Sequence, residues 1–315
     1  MRLITYSPAY TLVPTYECFN RCSYCNFRTD PGQDSWITLD QAKQRLLSLQ
    51  EKEIWEILIL SGEVHPNSPR RQEWFHHIYN LCQLALELGF LPHTNAGPLS
   101  YSEMAQLKEV NVSMGLMLEQ LTPELLKTVH KHAPSKKPEV RLQQLAWAGE
   151  LKIPFTTGIL LGIGETEADW WESLSAIAQQ HQTYKHIQEV ILQPHRLGSQ
   201  QTWQKDGFYL PDFPRLIAKA RNILPEDIAI QIPPNLISDS QFLIACIEAG
   251  ATDLGGIGVI DEVNPDYPHL HPHSLQGILD SQGWQLQPRL AVYPQYYDWL
   301  SPQLQMAVNN PCFIK

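Results

Sequence analysis

Ile54-Trp55-Glu56-Ile57-Leu58-Ile59-Leu60 and Phe155-Thr156-Thr157-Gly158-Ile159-Leu160-Leu161 are the stretches whose reading decides the fold. Each is a near-continuous apolar run of strand length that gives way to a turn containing glycine. Such runs suit strands buried on both faces of a parallel sheet, whereas half-buried strands alternate. Working outward, similar runs stand at 10–14, 91–94, 112–118, 187–193, 228–232 and 252–255. Between them, apolar residues recur at helical spacing in 40–51, 73–88, 101–109, 138–149, 165–180, 213–223, 239–249 and 273–282. Strands that alternate with helices or long loops point to an α/β fold of the (β/α)₈ TIM-barrel type, although a doubly wound open sheet gives a similar alternation. No repeat, low-complexity tract or long linker interrupts the pattern. Residues 1–315 therefore read as one domain, with 265–315 a loop-rich C-terminal extension whose proline-rich parts, 265–272 and 293–302, pack over a barrel face.

The 315 residues carry 23 Lys+Arg against 33 Asp+Glu, a formal charge of -10, which disfavours a nucleic-acid partner because phosphate contacts need a basic face. Hydrophobic residues at 43% and charged residues at 18% match ordinary soluble domains and exclude disorder as the main state. No apolar run reaches the roughly 20 residues that span a bilayer. The start, MRLITYSPAYTLVP, lacks the layout of a secretory signal, so the expected location is the cytoplasm.

In a reducing compartment the 6 cysteines are expected as thiols or metal ligands. Cys18, Cys22 and Cys25 form C-x₃-C-x₂-C just after the first strand candidate. One short loop can wrap three thiolates around a compact metal centre, and no nearby Cys or His completes the set, which leaves a position open for chemistry. A structural zinc with a distant fourth ligand, or three unrelated buried thiols, are the plain alternatives. Cys82 and Cys246 fall in apolar helical patterns and read as core, while Cys312 has no assigned role.

The triplet with Tyr24 before its last cysteine resembles the signature of the radical S-adenosylmethionine (SAM) enzymes. The resemblance implies that Cys18, Cys22 and Cys25 hold a [4Fe–4S] cluster whose fourth iron chelates SAM. Reductive cleavage of SAM would then yield a deoxyadenosyl radical within a full or partial (β/α) barrel. Ser61-Gly62-Glu63 resembles the family's short motif after the second strand, where a glycine admits close approach and a carboxylate meets the SAM ammonium. Gly158, Gly162, Gly164 and Glu165 fall in a stretch similar to the family's adenosine-contacting element; a dinucleotide fingerprint would need glycine where Glu167 stands. Lys136 and Arg141 supply cations for a cofactor carboxylate, or else only a solvated helix start. His93, Asn95, Glu119 and Gln193 sit at strand ends, where barrel active sites gather, and are the catalytic candidates. Among them Glu119 is the expected proton acceptor, its pKa raised by burial. His269, His271 and His273 read as an ordered loop, because the interleaved prolines prevent helical presentation.

HTNAG, GLMLE, IPFTTGILLGIGET and HIQEVILQP, in this order, narrow the resemblance to the deazaflavin (FO) synthase family, in its smaller, ring-closing half. The likeness covers residues 10–268 and departs at Gly258-Val259-Ile260-Asp261, where a Ser-Pro-containing version is expected. It implies a lyase that closes the central ring of a deazaflavin from a hydroxybenzyl–ribitylaminouracil adduct and releases ammonia. The cofactors would be a [4Fe–4S] cluster and SAM. The partners would be the tyrosine-condensing companion that makes the adduct and an electron donor such as ferredoxin or flavodoxin, with no nucleic acid and no membrane. The rivals are that companion itself, a menaquinone-pathway relative, a non-catalytic iron–sulfur electron carrier, and a zinc-dependent hydrolase on a barrel.

Overall fold

The structure, a computed structural model, describes residues 2–205, 207–237 and 239–310. The parallel strands β1 (Arg2–Leu12), β2 (Glu56–Leu60), β3 (Leu91–Asn95), β4 (Ser113–Gly115), β5 (Phe155–Leu161), β6 (Ile187–Pro194), β7 (Ala229–Gln231) and β8 (Asp253–Ile257) pair in chain order, and β1 pairs with both β8 and β2 to close a barrel. Helices α1 (Leu39–Leu47), α2 (Arg71–Glu87), α3 (Tyr101–Lys108), α4 (Pro138–Glu150), α5 (Glu167–Tyr184), α6 (Phe213–Ile223), α7 (Ser240–Glu248) and α8 (Pro272–Asp280) follow the successive strands. This is the (β/α)₈ barrel the apolar runs predict. Every residue of β5 is buried, as a parallel strand covered on both faces requires. Thr38, Ser100 and Thr166 start α1, α3 and α5 with reciprocal capping boxes to Gln41, Glu103 and Asp169, which satisfy helix-end N–H groups. Among the described residues no helix is long and apolar enough to cross a membrane.

Three boundaries differ from the sequence expectation for physical reasons. The first strand begins at Arg2 rather than near Tyr10, since its first half pairs with an additional strand, β9 (Trp284–Pro288), over Arg2–Tyr6, and its second half with β2 from Ala9. Pro8 lies between these two ladders, so its missing N–H interrupts neither. The fourth strand is shorter than 112–118; beyond Gly115 the chain still follows β5, but Glu119 turns into a left-handed backbone with φ 66°. The third difference lies in the extension. Beyond α8 come β9, a 3₁₀ turn at Pro294–Trp299 and α9 (Pro302–Val308), where loops are expected from the prolines.

That extension seals the N-terminal end of the barrel. Ala291, Val292, Tyr296, Leu300, Leu304 and Val308 form a small core with Leu91 and Val112, which precede or open strands at that end. Arg289 reaches into the barrel, donates to both carboxylate oxygens of Asp253 at 2.6 and 2.9 Å, and pairs with Glu189. The opposite end stays open as a cavity.

Candidate active site

The loop between β1 and α1 carries Cys18, Cys22 and Cys25, and all three thiols line a cavity of about 310 Å³ at the C-terminal ends of the strands. All three are free of disulfides. The buried carboxylate of Glu17 pins this loop by accepting from the Gly32 N–H at 2.5 Å and from Trp36 Nε1 at 3.1 Å. Gly62 packs so closely on Glu17 that a Cβ there would collide with its carbonyl. Burial pushes the Cys18 thiol up to about 11, with Glu63 adding to it, and the Cys22 thiol up to about 12 against the opposing pull of Lys136. Desolvated thiols of this kind keep their protons until a metal displaces them.

Beside the thiols lie two carboxylates and two cations. Glu63 accepts from Asn20 Nδ2 at 2.8 Å and faces Arg141 Nη2 at 3.3 Å. Arg141 is 1% exposed and is held rigid by the carbonyls of Ser135 and Met117, both at 2.9 Å. Lys136 Nζ meets Glu119 Oε1 at 2.5 Å. Burial alone would raise the Glu119 carboxyl, but Lys136 and then Arg141 outweigh it and hold the carboxyl below its ordinary value. The Lys136 ammonium is pulled down by burial and by Arg141, yet Glu119, Cys22 and Glu63 carry it above the usual lysine value. Both groups are therefore charged at neutral pH. The expectation of a Glu119 poised near neutrality is corrected: an ion pair, not burial, dominates its surroundings.

The remaining wall is less charged, with Asn26, Asn95, Gln193, His195, Arg196, Gln201, Asn264 and Tyr267. Gln201 gives its amide nitrogen to the Trp203 carbonyl at 2.6 Å, so its oxygen faces His195 Nε2 at 3.1 Å and fixes the proton there. Burial lowers the His195 pKa, which keeps the ring neutral.

Of the residues singled out in the sequence, the structure brings Cys18, Cys22, Cys25, Ser61, Gly62, Glu63, Asn95, Glu119, Lys136, Arg141 and Gln193 to one cavity. His93 is not among its lining residues. It points into the barrel below the cavity, with Nδ1 2.7 Å from Ser113 Oγ, because it lies two residues before Asn95 on the same strand face. Gly158, Gly162, Gly164 and Glu165 also stand off the wall, where Leu160 takes the place expected of them. Glu165 spends its carboxylate on the Gly162 and Ile163 N–H groups at 2.6 and 2.8 Å, tying up its own turn. His271 accepts from the His273 N–H at the start of α8. Cys312 lies outside the described residues. Sequence reasoning gave no role to Glu17, Asn20, Asn26 and Gln201, which have no motif spacing; for the first three, adjacency to the cysteine triplet was the available signal.

A closed parallel barrel with three free thiols and paired charges at its C-terminal mouth defines a class. The chain belongs to the radical SAM superfamily, whose family model matches residues 12–177. Within it the chain belongs to the family of 7,8-didemethyl-8-hydroxy-5-deazariboflavin synthases. It is 68% identical over 308 residues to the protein of that name from Trichormus variabilis, covering 98% of this chain and 91% of the relative. To that of Synechocystis sp. it is 60% identical, covering 98% and 99%. In fold it is similar to the FeFe-hydrogenase maturase HydG from Carboxydothermus hydrogenoformans, with TM-score 0.74, 18% identity, and 99% and 77% of the two chains covered. It is also similar to methylornithine synthase (PylB), with TM-score 0.67, 16% identity, and 91% and 84% covered. The protein is thus an enzyme that uses a [4Fe–4S] cluster and SAM.

The residues present fit both groups. Three free thiols carried on one loop line a single cavity, the donor set one cluster takes from its protein. The carboxylates and cations beside them match the ammonium and carboxylate of an amino acid such as the methionyl end of SAM.

Proposed function

We propose that this chain is the ring-closing enzyme of deazaflavin synthesis. It takes the adduct of a tyrosine-derived hydroxybenzyl group with 5-amino-6-ribitylaminouracil, made by a tyrosine-condensing companion, closes the central ring and releases ammonia. The observation that carries this reading is the end-to-end match to synthases of nearly the same length, 99% of the Synechocystis relative being covered. One barrel with one Cys18–Cys22–Cys25 triplet serves one radical reaction, which leaves the condensation to another protein. A reducing cytoplasm, where the thiols stay available to iron, is part of the same reading.

In this reading Cys18, Cys22 and Cys25 hold the cluster, Glu63 faces the SAM ammonium, and Lys136 and Arg141 balance its carboxylate. When bound, the cluster and SAM supply a hydrogen-abstracting radical, with the electron from an external donor such as ferredoxin or flavodoxin. The chain's own work is to orient and to exclude water. Asn95 and Gln193 offer donors and acceptors that suit a phenol, a uracil and a polyol. Glu119, committed to Lys136, keeps that ammonium in place rather than taking protons at neutral pH.

Anaerobically reconstituted protein given SAM, a reductant and the adduct is expected to form a fluorescent deazaflavin together with deoxyadenosine, methionine and ammonia. Formation of the adduct from tyrosine and the aminouracil, or SAM cleavage with the adduct left unconsumed, would overturn the ring-closing role.

A further inference from the structure

The loop 258–271, between β8 and α8, supplies Val263, Asn264 and Tyr267 to the cavity wall. Its attachment is unusual for a wall. The apolar side chains of Val259 and Ile260 are 70% and 57% exposed, so they pin nothing. Polar bonds to three other segments, the β1–α1, β6–α6 and β7–α7 loops, hold it instead. Tyr16 Oη donates to Glu262 at 2.8 Å and Asn235 Nδ2 donates to Asp261 at 2.8 Å. Tyr267 Oη donates to the Leu197 carbonyl at 2.8 Å. One carboxylate oxygen of Asp266 accepts both Asn26 Nδ2 at 2.9 Å and the Ser199 N–H at 2.7 Å. A segment held by a few exposed or part-buried hydrogen bonds, with its apolar side chains largely exposed, opens at low cost.

Asn26 gives this attachment its meaning. It directly follows Cys25, its amide oxygen accepts the Gln200 N–H at 2.7 Å, and its amide packs against Gly198 so closely that a Cβ there would collide with it. Cysteine loop, β6–α6 loop and the loop 258–271 thus meet at one side-chain amide. We propose that the loop 258–271 is the lid over the substrate end of the cavity, and that Asp266 is the positioning residue that latches it to the cysteine loop. When the latch is made, Asn264 and Tyr267 close over a neutral, hydrogen-bonding ligand beside Arg196, whose guanidinium stacks on Tyr267 at 5.3 Å. When it is broken, water and reductant reach the site. The ligand's identity, though not the lid itself, rests on the ring-closing reading.

Asp266 is exposed, so substitution there leaves the core alone. Two variants separate latch geometry from charge, because an Asn at this position can still accept both N–H groups and an Ala cannot. In cluster-free protein, Asp266→Ala is expected to speed amide hydrogen exchange across 258–271 by about tenfold, with Asp266→Asn near the parent. In reconstituted enzyme, Asp266→Ala is expected to raise the KM for the adduct about fivefold and to release more deoxyadenosine per deazaflavin formed, with iron content and SAM affinity unchanged. Parental exchange and parental coupling in Asp266→Ala would overturn the latch, as would equal damage from Asn and Ala. If the parent enzyme leaves the adduct untouched while exchange responds as stated, the ring-closing reading fails and the lid survives.

Discussion

Glu119 occupies a backbone conformation, φ 66°, that costs a non-glycine residue about 1–3 kcal/mol, and its side chain shows what that cost secures. The turn aims a carboxylate back at Lys136, whose ammonium is otherwise stranded among buried groups. Glu119→Gln is therefore expected to destabilise the fold by about 3 kcal/mol, read from denaturant unfolding. A carboxyl held below its ordinary 4.5 binds its proton less tightly folded than unfolded. Its contribution is complete above that value and is lost as pH falls, so Glu119→Gln should flatten the acid limb of the stability profile. Cys22→Ala should abolish stable cluster assembly while Cys82→Ala, a thiol turned to Thr94 and Asn111 inside the core, should not, as an iron and sulfide count would show. Glu63→Gln should weaken SAM binding by about 1.5–3 kcal/mol by calorimetry, with iron content kept. The triplet was legible because its ligands crowd into one loop. The Glu119–Lys136 pair was not, since nothing in the spacing of two residues on separate segments says that a left-handed turn brings them together.

At the scale of elements, the buried strands could be read because burial on both faces leaves an unbroken apolar run. The misses share the opposite cause. β9 is largely exposed, with three of its five residues open to solvent, and α9 is a short helix begun at a proline, so neither leaves the pattern of a covered element. In the GILLGIGET stretch, similar to the family's adenosine-contacting element, Leu160 lines the cavity while Gly162 and Gly164 serve left-handed turns with φ 86° and 113°. Gly62 has a different task, the close packing of one element on another. Gly62→Ala would drive a methyl group into the Glu17 carbonyl and displace the cysteine loop. The expected result is a loss of about 1–3 kcal/mol in stability together with reduced iron retention, checked by melting and by iron content after desalting.

Across the whole molecule, opposite ends of the barrel use charge in opposite senses. At the mouth, Glu63 and Glu119 each face a cation of their own. At the floor, the single guanidinium of Arg289 faces both Glu189 and Asp253. Burial, with Asp253 and Glu56 adding to it, pushes the Glu189 carboxyl up to about 7 although Arg289 opposes. A carboxyl raised on folding stabilises below its ordinary value of 4.5 and gives that stability up as pH rises through its folded value, a slope opposite to that of Glu119. Arg289→Leu strands two buried carboxylates and should cost about 3–5 kcal/mol near neutral pH, with a smaller penalty in mild acid, measurable as denaturant midpoints across pH.

The pairing of β1 with both β8 and β9 also sets an order of events during synthesis. The cysteine loop is translated within the first tenth of the chain, but β1, which carries it, has no neighbour on its β8 side until residues 253–257 have been made, and its first half has none on the other side until residues 284–288. A nascent chain on the ribosome therefore displays three thiols with no cavity around them. Stable iron loading is therefore expected only once the chain is complete, and a truncated product lacking its last strands is expected to expose those thiols to oxidation.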